Sequence, residues 1–277
     1  MPSPNGLLFL LLALSACATN EPLLRRPPRP VPLVEGTLMV VGGGGTTPAM
    51  VARMLAIAGG PEAKILVLPQ ASELPDRGSG SLELWAEAGA INVTCLDPLT
   101  EGDGERLIGE AALIWLPGGD QTRLMAALSE ARLVDDIQRR YRQGALVAGT
   151  SAGAAVMSAR MITGEADLEA VRAGATQLAP GLGLWPEVIV DQHFVRRQRW
   201  ARLISAVLDH PELVGVGIDE RTAVEVTPRS WRVWGEGNVV ILDARRAECT
   251  VLADGALQAA RGIRTALLRD GEIFALR

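Results

Sequence analysis

The chain has 277 residues, of which 48% are hydrophobic and only 4% aromatic, and its formal net charge is −5 at pH 7. This charge gives no basic field for nucleic acid, so the composition argues against a nucleic-acid partner. A core must be built mostly from Val, Leu, Ile and Ala, and about 240 residues suffice for one α/β domain.

The chain begins with a segment typical of an export signal. Residues 6–16 form an apolar run, shorter than the ~20 residues of a membrane span, that resembles the centre of a signal peptide. Residues 14–17, Leu-Ser-Ala-Cys, match a bacterial lipobox, although no Lys or Arg precedes the apolar run. We therefore expect a lipoprotein signal peptide over residues 1–17 and lipidation of Cys17. The alternative is a disordered apolar leader with a chance cysteine.

A proline-rich linker is predicted next, over residues 18–34, because its five prolines restrict the backbone and remove amide donors. It would hold the globular domain, residues 35–277, away from a membrane surface. The expected location is therefore outside the cytoplasm, as a membrane-anchored lipoprotein in the periplasm or at the cell surface.

Apolar runs alternate with helix-like stretches along most of this domain. The predicted strands are residues 37–41, 64–68, 91–96, 112–116, 146–148, 188–190 and 214–218. The predicted helices are residues 47–58, 81–88, 122–129, 133–142 and 196–208. This alternation predicts an α/β fold with a mainly parallel sheet and helices on both faces. Short strands follow as a C-terminal β extension, at residues 232–235, 239–242, 250–252 and 265–268.

The first catalytic candidate is Ser151, which lies between an apolar run and a helix-compatible stretch. Gly149 and Gly153 flank it in a Gly-x-Ser-x-Gly pattern, which is typical of a sharp strand-to-helix turn that exposes a nucleophilic hydroxyl. The amides at the start of the following helix would face an anion forming on the serine. An ordinary Gly/Ser turn is the alternative, so the pattern requires partners.

A base and an orienting carboxylate complete the prediction. His193 follows the apolar run 188–190, whereas His210 stands before a proline, where a capping or surface role is expected. Glu220 follows another apolar run, and the choice between it and Asp219 stays open. Ser151, His193 and Glu220 would each stand at the end of a different strand.

Two glycine-rich segments complete the predicted active-site edge. The backbone amides of Gly118 and Gly119, with that of Ala152, are candidates for an oxyanion hole, although a capped helix start is the alternative. Residues 42–47 do not match a dinucleotide-binding spacing, nor a P-loop, and are expected to form a close-packed turn beside the active site.

Four segments together resemble the serine peptidases of family S51, which include the cyanophycinases and the aspartyl dipeptidases. They are residues 149–154, 116–121, 191–194 with the arginines that follow, and 217–223. The resemblance covers roughly residues 36–243. It implies a fold similar to the class I glutamine amidotransferases, with a flavodoxin-like sheet.

The resemblance also implies an activity and a set of binding residues. It points to a serine exopeptidase that hydrolyses cyanophycin, multi-L-arginyl-poly-L-aspartate, to β-Asp-Arg dipeptides, and to a homodimer. The residues it implies for substrate binding are Gln121, Asp191, Gln192, Arg197, Arg199 and Arg202. Arginine's planar guanidinium suits carboxylates. Arg196, Arg199 and Arg202 are expected along one face of the predicted helix 196–208, for which a solvated basic face is the alternative.

Other functions stay open. The chain could be another S51 peptidase that acts on small aspartyl or isoaspartyl peptides, a non-catalytic glutamine amidotransferase-like binding lipoprotein, or a structural lipoprotein. No cofactor is implied. Cys95 and Cys249 lack metal-ligand spacing, so no metal site is implied either, and two separate buried thiols are expected rather than a disulfide.

Overall fold

The apolar runs of the sequence form strands that pair mainly into two sheets. The computed structural model describes residues 36–250 and 253–274. Within these ranges the strands are β1 (Thr37–Val41), β2 (Ile65–Val67), β3 (Val93–Cys95), β4 (Leu113–Leu116), β5 (Leu146–Thr150), β6 (Arg160–Ala166), β7 (Thr176–Pro180), β8 (Val188–Gln192), β9 (Val214–Ile218), β10 (Thr222–Val226), β11 (Trp231–Gly235), β12 (Val239–Asp243), β13 (Glu248–Cys249), β14 (Ala260–Arg261), β15 (Arg264–Leu268) and β16 (Ile273–Phe274).

Helices connect the parallel strands. They are α1 (Pro48–Ala58), α2 (Ser79–Glu87), α3 (Glu101–Glu110), α4 (Gln121–Glu130), α5 (Val134–Arg142), α6 (Ala152–Ala155) and α7 (Trp200–Asp209). Side-chain caps fix where two of them begin: the Asp120 carboxylate accepts the Arg123 N–H at 2.7 Å, and Thr47 caps α1 just before Pro48.

The larger sheet has the strand order β16-β11-β10-β1-β5-β4-β2-β3. The pairings from β1 to β3 are parallel, whereas β10, β11 and β16 extend the sheet with antiparallel pairings. The carboxyl ends of the parallel strands therefore meet at one edge, which is where ligands bind in open α/β sheets. The predicted α/β class and the antiparallel extension are confirmed.

Hydrophobic clusters cover both faces of this sheet, as predicted. Leu38 and Val40 of β1 point into a cluster that includes residues of α3, α4 and α5. Met39 and Val41 point to the other face, where they pack with residues of α1 and α2. This alternation follows from the two-residue period of a strand buried on both sides.

The strands that end just before His193 and Glu220, β8 and β9, belong to a second sheet with the order β15-β12-β9-β8. The sequence predicted β8 and β9 as members of one mainly parallel sheet. They do pair in parallel, but the antiparallel strand β10 occupies the position next to β1, and β9 pairs instead with β12. Helix α7 covers this second sheet through Leu203, Ala206 and Val207.

Several boundaries differ from the sequence predictions. The helix predicted for residues 196–208 begins only at Trp200, because the preceding residues form turns and Gln198 has a positive φ of 52°. Helix α3 was not predicted, since its three glycines weaken the helical pattern. Strands β6, β7 and β10 were not predicted either. Of the strand predicted over residues 250–252, residues 251–252 lie outside the described ranges, and the strand found nearby is β13.

The two cysteines of the domain are unpaired, but they are not both buried. Cys95 is half-buried on the edge strand β3, whereas Cys249 is exposed on the short strand β13. The prediction of two buried thiols is therefore wrong for Cys249, because β13 pairs only with β14 in a small separate hairpin.

The predicted signal peptide, Cys17 and linker lie outside the described residues. Among the helices that the structure describes, none combines the length and the apolar character needed to cross a membrane.

The close packing around Gly153 gives a test of the turn at Ser151. A Cβ atom at Gly153 would overlap the carbonyl oxygen of Leu116, so Gly153→Ala is expected to lower the free energy of unfolding by at least ~2 kcal/mol. Urea denaturation of the purified protein measures this change. Gly109→Ala is the matched control, because a Cβ there meets open space within helix α3 and should not destabilise the protein. Equal unfolding free energies for both variants would contradict the packing argument.

Candidate active site

Ser151 occupies a sharp turn between β5 and α6. Its φ of 54° and ψ of −109° are unusual for a residue with a side chain, and its N–H donates to the carbonyl of Val41 at 3.0 Å. Cβ atoms at Gly149 and Gly153 would overlap backbone atoms of Gly153 and Leu116 respectively. The two glycines therefore let strand and helix approach closely enough to leave the Ser151 hydroxyl half-exposed at the tip.

The three residues predicted to act together are in hydrogen-bond contact. The Ser151 Oγ lies 3.0 Å from His193 Nε2, and His193 Nδ1 lies 2.7 Å from Glu220 Oε1. His193 is buried, with 7% of its surface exposed, whereas the Glu220 side chain is 30% exposed. Of the two neighbouring carboxylates, Glu220 is the one that faces the imidazole; Asp219 instead accepts the backbone N–H of Arg196 at 2.9 Å.

The glycine loop after β1 packs directly against this group. A Cβ at Gly43 would overlap the His193 ring, and one at Gly44 would come within 2.5 Å of the Glu220 Cβ. Both glycines have positive φ values, 97° and 68°. Only glycine fits this approach without strain, so the loop is a close-packed wall behind the imidazole.

Burial and neighbouring charges set the proton affinities of the pair. Burial lowers the pKa of His193 below its ordinary value and outweighs the opposing hydrogen bond to Glu220; the positive charges of Arg197 and Arg199 lower it further. The hydrogen bond with His193 holds the pKa of Glu220 below its usual range. The resting site therefore combines a neutral imidazole with an ionised carboxylate near neutral pH, the state in which the imidazole can accept a proton.

Gly118, two residues after β4, lies beside Ser151, and Gly119 is the next residue along the chain. A Cβ at Gly118 would be 3.4 Å from the Ser151 Cβ, and a Cβ at Gly119 would overlap the carbonyl oxygen of Ala71. The backbone N–H groups of Gly118, Gly119 and Ala152 donate to no acceptor within the part of the chain that the structure describes. None of the three N–H groups is therefore engaged by an acceptor of the described chain.

The residues on and after β8 form a buried polar network. Asp191 is fully buried, and its carboxylate accepts two hydrogen bonds from the Arg202 guanidinium, one of 2.7 Å from Nε to Oδ2. The Arg199 guanidinium lies 3.5 Å from the same carboxylate and donates to the Gln192 side chain at 2.8 Å. Two guanidinium groups thus share one carboxylate. Together with Arg197, these residues form the charged wall of the site.

The positive charge of Arg199 is disfavoured, because it is partly buried and shares the Asp191 carboxylate with Arg202. Burial, together with the neighbouring charge of Arg202, lowers the pKa of Arg199 to about 10. The group remains protonated at neutral pH, so the wall carries an incompletely balanced positive charge.

Arg197 and Gln121 occupy different settings from this network. Arg197 is exposed, and its guanidinium has no hydrogen-bond or ion-pair partner within residues 36–250 and 253–274. Its charge acts on His193, so it lies within electrostatic reach of the imidazole. Gln121, at the start of α4, is buried and donates through Nε2 to the Ile162 carbonyl of β6 at 3.0 Å.

Some features of the site had no signal in the sequence. The pairing of Asp191 with Arg202 joins residues eleven positions apart, and it depends on α7 lying across β8. The backbone role of Asp219 depends on a turn that the sequence predicted as helix. Within the described ranges, no cluster of three or more His, Cys, Asp or Glu side chains could hold a metal ion.

Comparison with protein families gives a match that agrees with this geometry. The model of peptidase family S51 matches residues 38–233, which include all the site residues described above. The chain belongs to peptidase family S51. The resemblance drawn from the four sequence segments is thereby confirmed.

The S51 relatives found include proteins named cyanophycinase. The one from Nostoc sp. is 43% identical over 194 residues, which are 67% of this chain and 65% of the relative. The one from Geminocystis herdmanii is 40% identical over 201 residues, 70% of this chain and 74% of the relative. The one from Synechococcus elongatus is 37% identical over 232 residues, 79% and 72% respectively. This chain therefore spans about two thirds of the length of the Nostoc relative.

Solved structures share the fold of this S51 protein. A peptidase from an acI-B1 Actinobacterium superposes with a TM-score of 0.63 at 24% identity, over 88% of this chain and 98% of that chain. A candidate peptidase E from Listeria monocytogenes EGD-e gives a TM-score of 0.54 at 15% identity, over 73% of this chain and 99% of the other.

The charges around His193 predict a titration that does not depend on activity. Because charging a buried imidazole is unfavourable, the pKa of His193 should lie below the ordinary histidine value of ~6.5. Arg197→Gln removes one neighbouring positive charge and should raise the pKa of His193, whereas Arg197→Lys keeps the charge and should leave it near the parent value. NMR titration of the imidazole, assigned with a His210→Gln variant, measures both. An unchanged or lower pKa in Arg197→Gln would contradict the electrostatic account.

Proposed function

We propose that this S51 protein is a serine exopeptidase that hydrolyses cyanophycin, multi-L-arginyl-poly-L-aspartate, to β-Asp-Arg dipeptides. The observation that carries the proposal is the chain of contacts from Ser151 through His193 to Glu220, at 3.0 and 2.7 Å. The relatives named cyanophycinase, at 37–43% identity, support the choice of substrate.

The proposed mechanism is acyl transfer through Ser151. His193 Nε2 takes the hydroxyl proton as Oγ attacks the carbonyl carbon, while the Nδ1–H donates to Glu220 and keeps the ring in the required tautomer. His193 then gives the proton to the leaving amine, and the C–N bond breaks. A water molecule, deprotonated by the same imidazole, then attacks the carbonyl carbon of the acyl-enzyme. The ester bond to Oγ breaks, the acid is released, and His193 returns the proton to Oγ to regenerate the Ser151 hydroxyl.

The oxyanion formed in each addition step needs donors beside Ser151. We assign this role to the backbone N–H groups of Gly118, Gly119 and Ala152, which have no acceptor among the described residues. Donors fixed in place by the backbone need no rearrangement as charge develops, and one such donor typically contributes a factor of about 10²–10³ in rate.

Substrate recognition is assigned to the charged wall beside the triad. Arg197 is exposed and has no partner in the described chain, so it is suited to bind a substrate carboxylate. Arg199, whose positive charge is only partly balanced by the shared Asp191 carboxylate, adds to the same positive field. The remaining binding residues would shape the wall through the contacts they make with one another and with β6: Gln121, Asp191, Gln192 and Arg202.

A second substrate class is favoured by the pairing of Asp191. Cyanophycin carries arginyl side chains, and a carboxylate is the expected partner for them, but both oxygens of Asp191 already accept hydrogen bonds from Arg202. Small aspartyl or isoaspartyl peptides need only the arginines of the charged wall.

A non-catalytic binding lipoprotein is the third possibility. The contacts that join Ser151, His193 and Glu220 argue against it.

We also propose that the protein is exported, lipidated at Cys17 and anchored to a membrane at its periplasmic or cell-surface side. The lipobox at residues 14–17 and the proline-rich residues 18–34 support this proposal. A homodimer is proposed from the family resemblance alone.

The activity is tested by release of soluble dipeptide from insoluble cyanophycin by the purified protein. Ser151→Ala should lower the rate by on the order of 10⁴-fold or more, because the nucleophile is lost. Ser129→Ala is the matched control: Ser129 is exposed on α4, and its variant should keep the parent rate.

The outcome separates the mechanism from the substrate. Parent-like release by a folded Ser151→Ala variant would refute Ser151 as the nucleophile. No release by the parent, combined with Ser151-dependent cleavage of small isoaspartyl peptides, would select the second substrate class.

A further inference from the structure

The turn that contains His193 is fixed by hydrogen bonds to other parts of the domain. His193 itself has a positive φ of 51°, a conformation that a residue with a side chain adopts only when its surroundings impose it. Three N–H groups of the turn donate to acceptors on other elements: His193 N–H to Gly42 O at 2.7 Å, Phe194 N–H to Ile218 O at 3.2 Å, and Arg196 N–H to Asp219 Oδ1 at 2.9 Å. Of the three acceptors, only that of Asp219 is a side chain.

Asp219 is itself anchored to the second sheet. Its N–H donates to the Asn238 carbonyl at 3.1 Å, just before β12 begins. A Cβ at Gly237 would lie 3.3 Å from Asp219 Oδ2, so the carboxylate packs closely against the main chain there. The half-buried Asp219 therefore connects a rigid strand end to the His193 turn.

Adjacent carboxylates thus reach two different parts of the same functional unit. Glu220 contacts the imidazole ring at Nδ1, whereas Asp219 contacts the backbone three residues after His193. The same turn presents Arg197, whose N–H donates to the His193 carbonyl at 2.9 Å. Displacement of this backbone would move the base and the exposed guanidinium together.

We propose that Asp219 is a positioning residue, which holds the His193 turn through the single hydrogen bond from the Arg196 N–H to its carboxylate. This inference rests on the proposed serine-peptidase function. It assigns the role to the acceptor oxygen and not to the negative charge of Asp219. An asparagine at this position keeps the Oδ1 acceptor and should therefore preserve the activity. An alanine lacks the acceptor and should lower the activity.

Two variants separate the acceptor from the charge. Asp219→Asn should keep kcat within about twofold of the parent. Asp219→Ala should lower kcat about tenfold, the fold-change expected from one lost hydrogen bond. In Asp219→Ala the acid limb of the pH profile of kcat/KM should stay at the parent pH, because the ring keeps its contact with Glu220. Glu220→Gln is the comparison variant, and it should lower kcat by on the order of 10⁴-fold through loss of the tautomer control.

The kinetic outcomes either support or overturn the inference. Rescue by asparagine with loss in alanine supports it. Equal losses in both variants would assign the role to the charge and overturn it, and parent-like activity in both would overturn it as well. Ser151→Ala is measured in the same assay: activity of that variant would refute the proposed function, and amide exchange would then decide the role of Asp219 alone.

Amide exchange measures the contact directly and needs no alanine variant. In the full-length parent, the Arg196 N–H should exchange with solvent at least about tenfold more slowly than the neighbouring Val195 N–H, which has no acceptor among the described residues. Asp219→Asn should preserve this difference. Equal exchange of the two amides in the parent would overturn the inference, even if Asp219→Ala failed to fold.

Discussion

The contact between Ser151 and His193 depends on two separately built turns that meet across two sheets. Ser151 comes from the parallel centre of the larger sheet, and its position is fixed by glycines that let β5 and α6 approach. His193 comes from the second sheet, and its N–H is bound to Gly42, which follows β1 in the larger sheet. The glycine loop therefore connects Ser151 and His193, and it explains why a glycine run follows β1 where no nucleotide motif is present.

Burial and the charges around the site keep His193 neutral, and the same charges make its surroundings positive. Burial and the arginines disfavour an imidazolium, while the Glu220 carboxylate contacts Nδ1 on the other side of the ring. The same arginines give the wall of the site a positive field, which suits a substrate rich in carboxylates. One arrangement of cations thus affects the pKa of His193 and also suits the proposed recognition of an aspartyl substrate.

The sequence was most informative where local chemistry decides the structure. The β5 turn could be predicted because Gly149, Ser151 and Gly153 lie within five positions, and the central strands because their apolar runs are long. The contacts of Asp191 and Asp219 could not be predicted, because each joins two segments, 11 and 23 positions apart, whose packing the local sequence does not determine. The predicted start of the helix at residue 196 was wrong for the same reason: hydrogen bonds from the turn to acceptors on Gly42, Ile218 and Asp219 hold residues with helical propensity in a turn, and the helix begins at Trp200.

The central claim is that His193 activates Ser151 as a nucleophile, and covalent labelling tests it most directly. A serine-reactive phosphonate should form one adduct on the full-length protein, located by peptide mass spectrometry at Ser151, and His193→Ala should slow its formation by several orders of magnitude. A parent protein that hydrolyses its substrate while Ser151 stays unlabelled, or a label on Ser151 that forms equally fast without His193, would contradict the account.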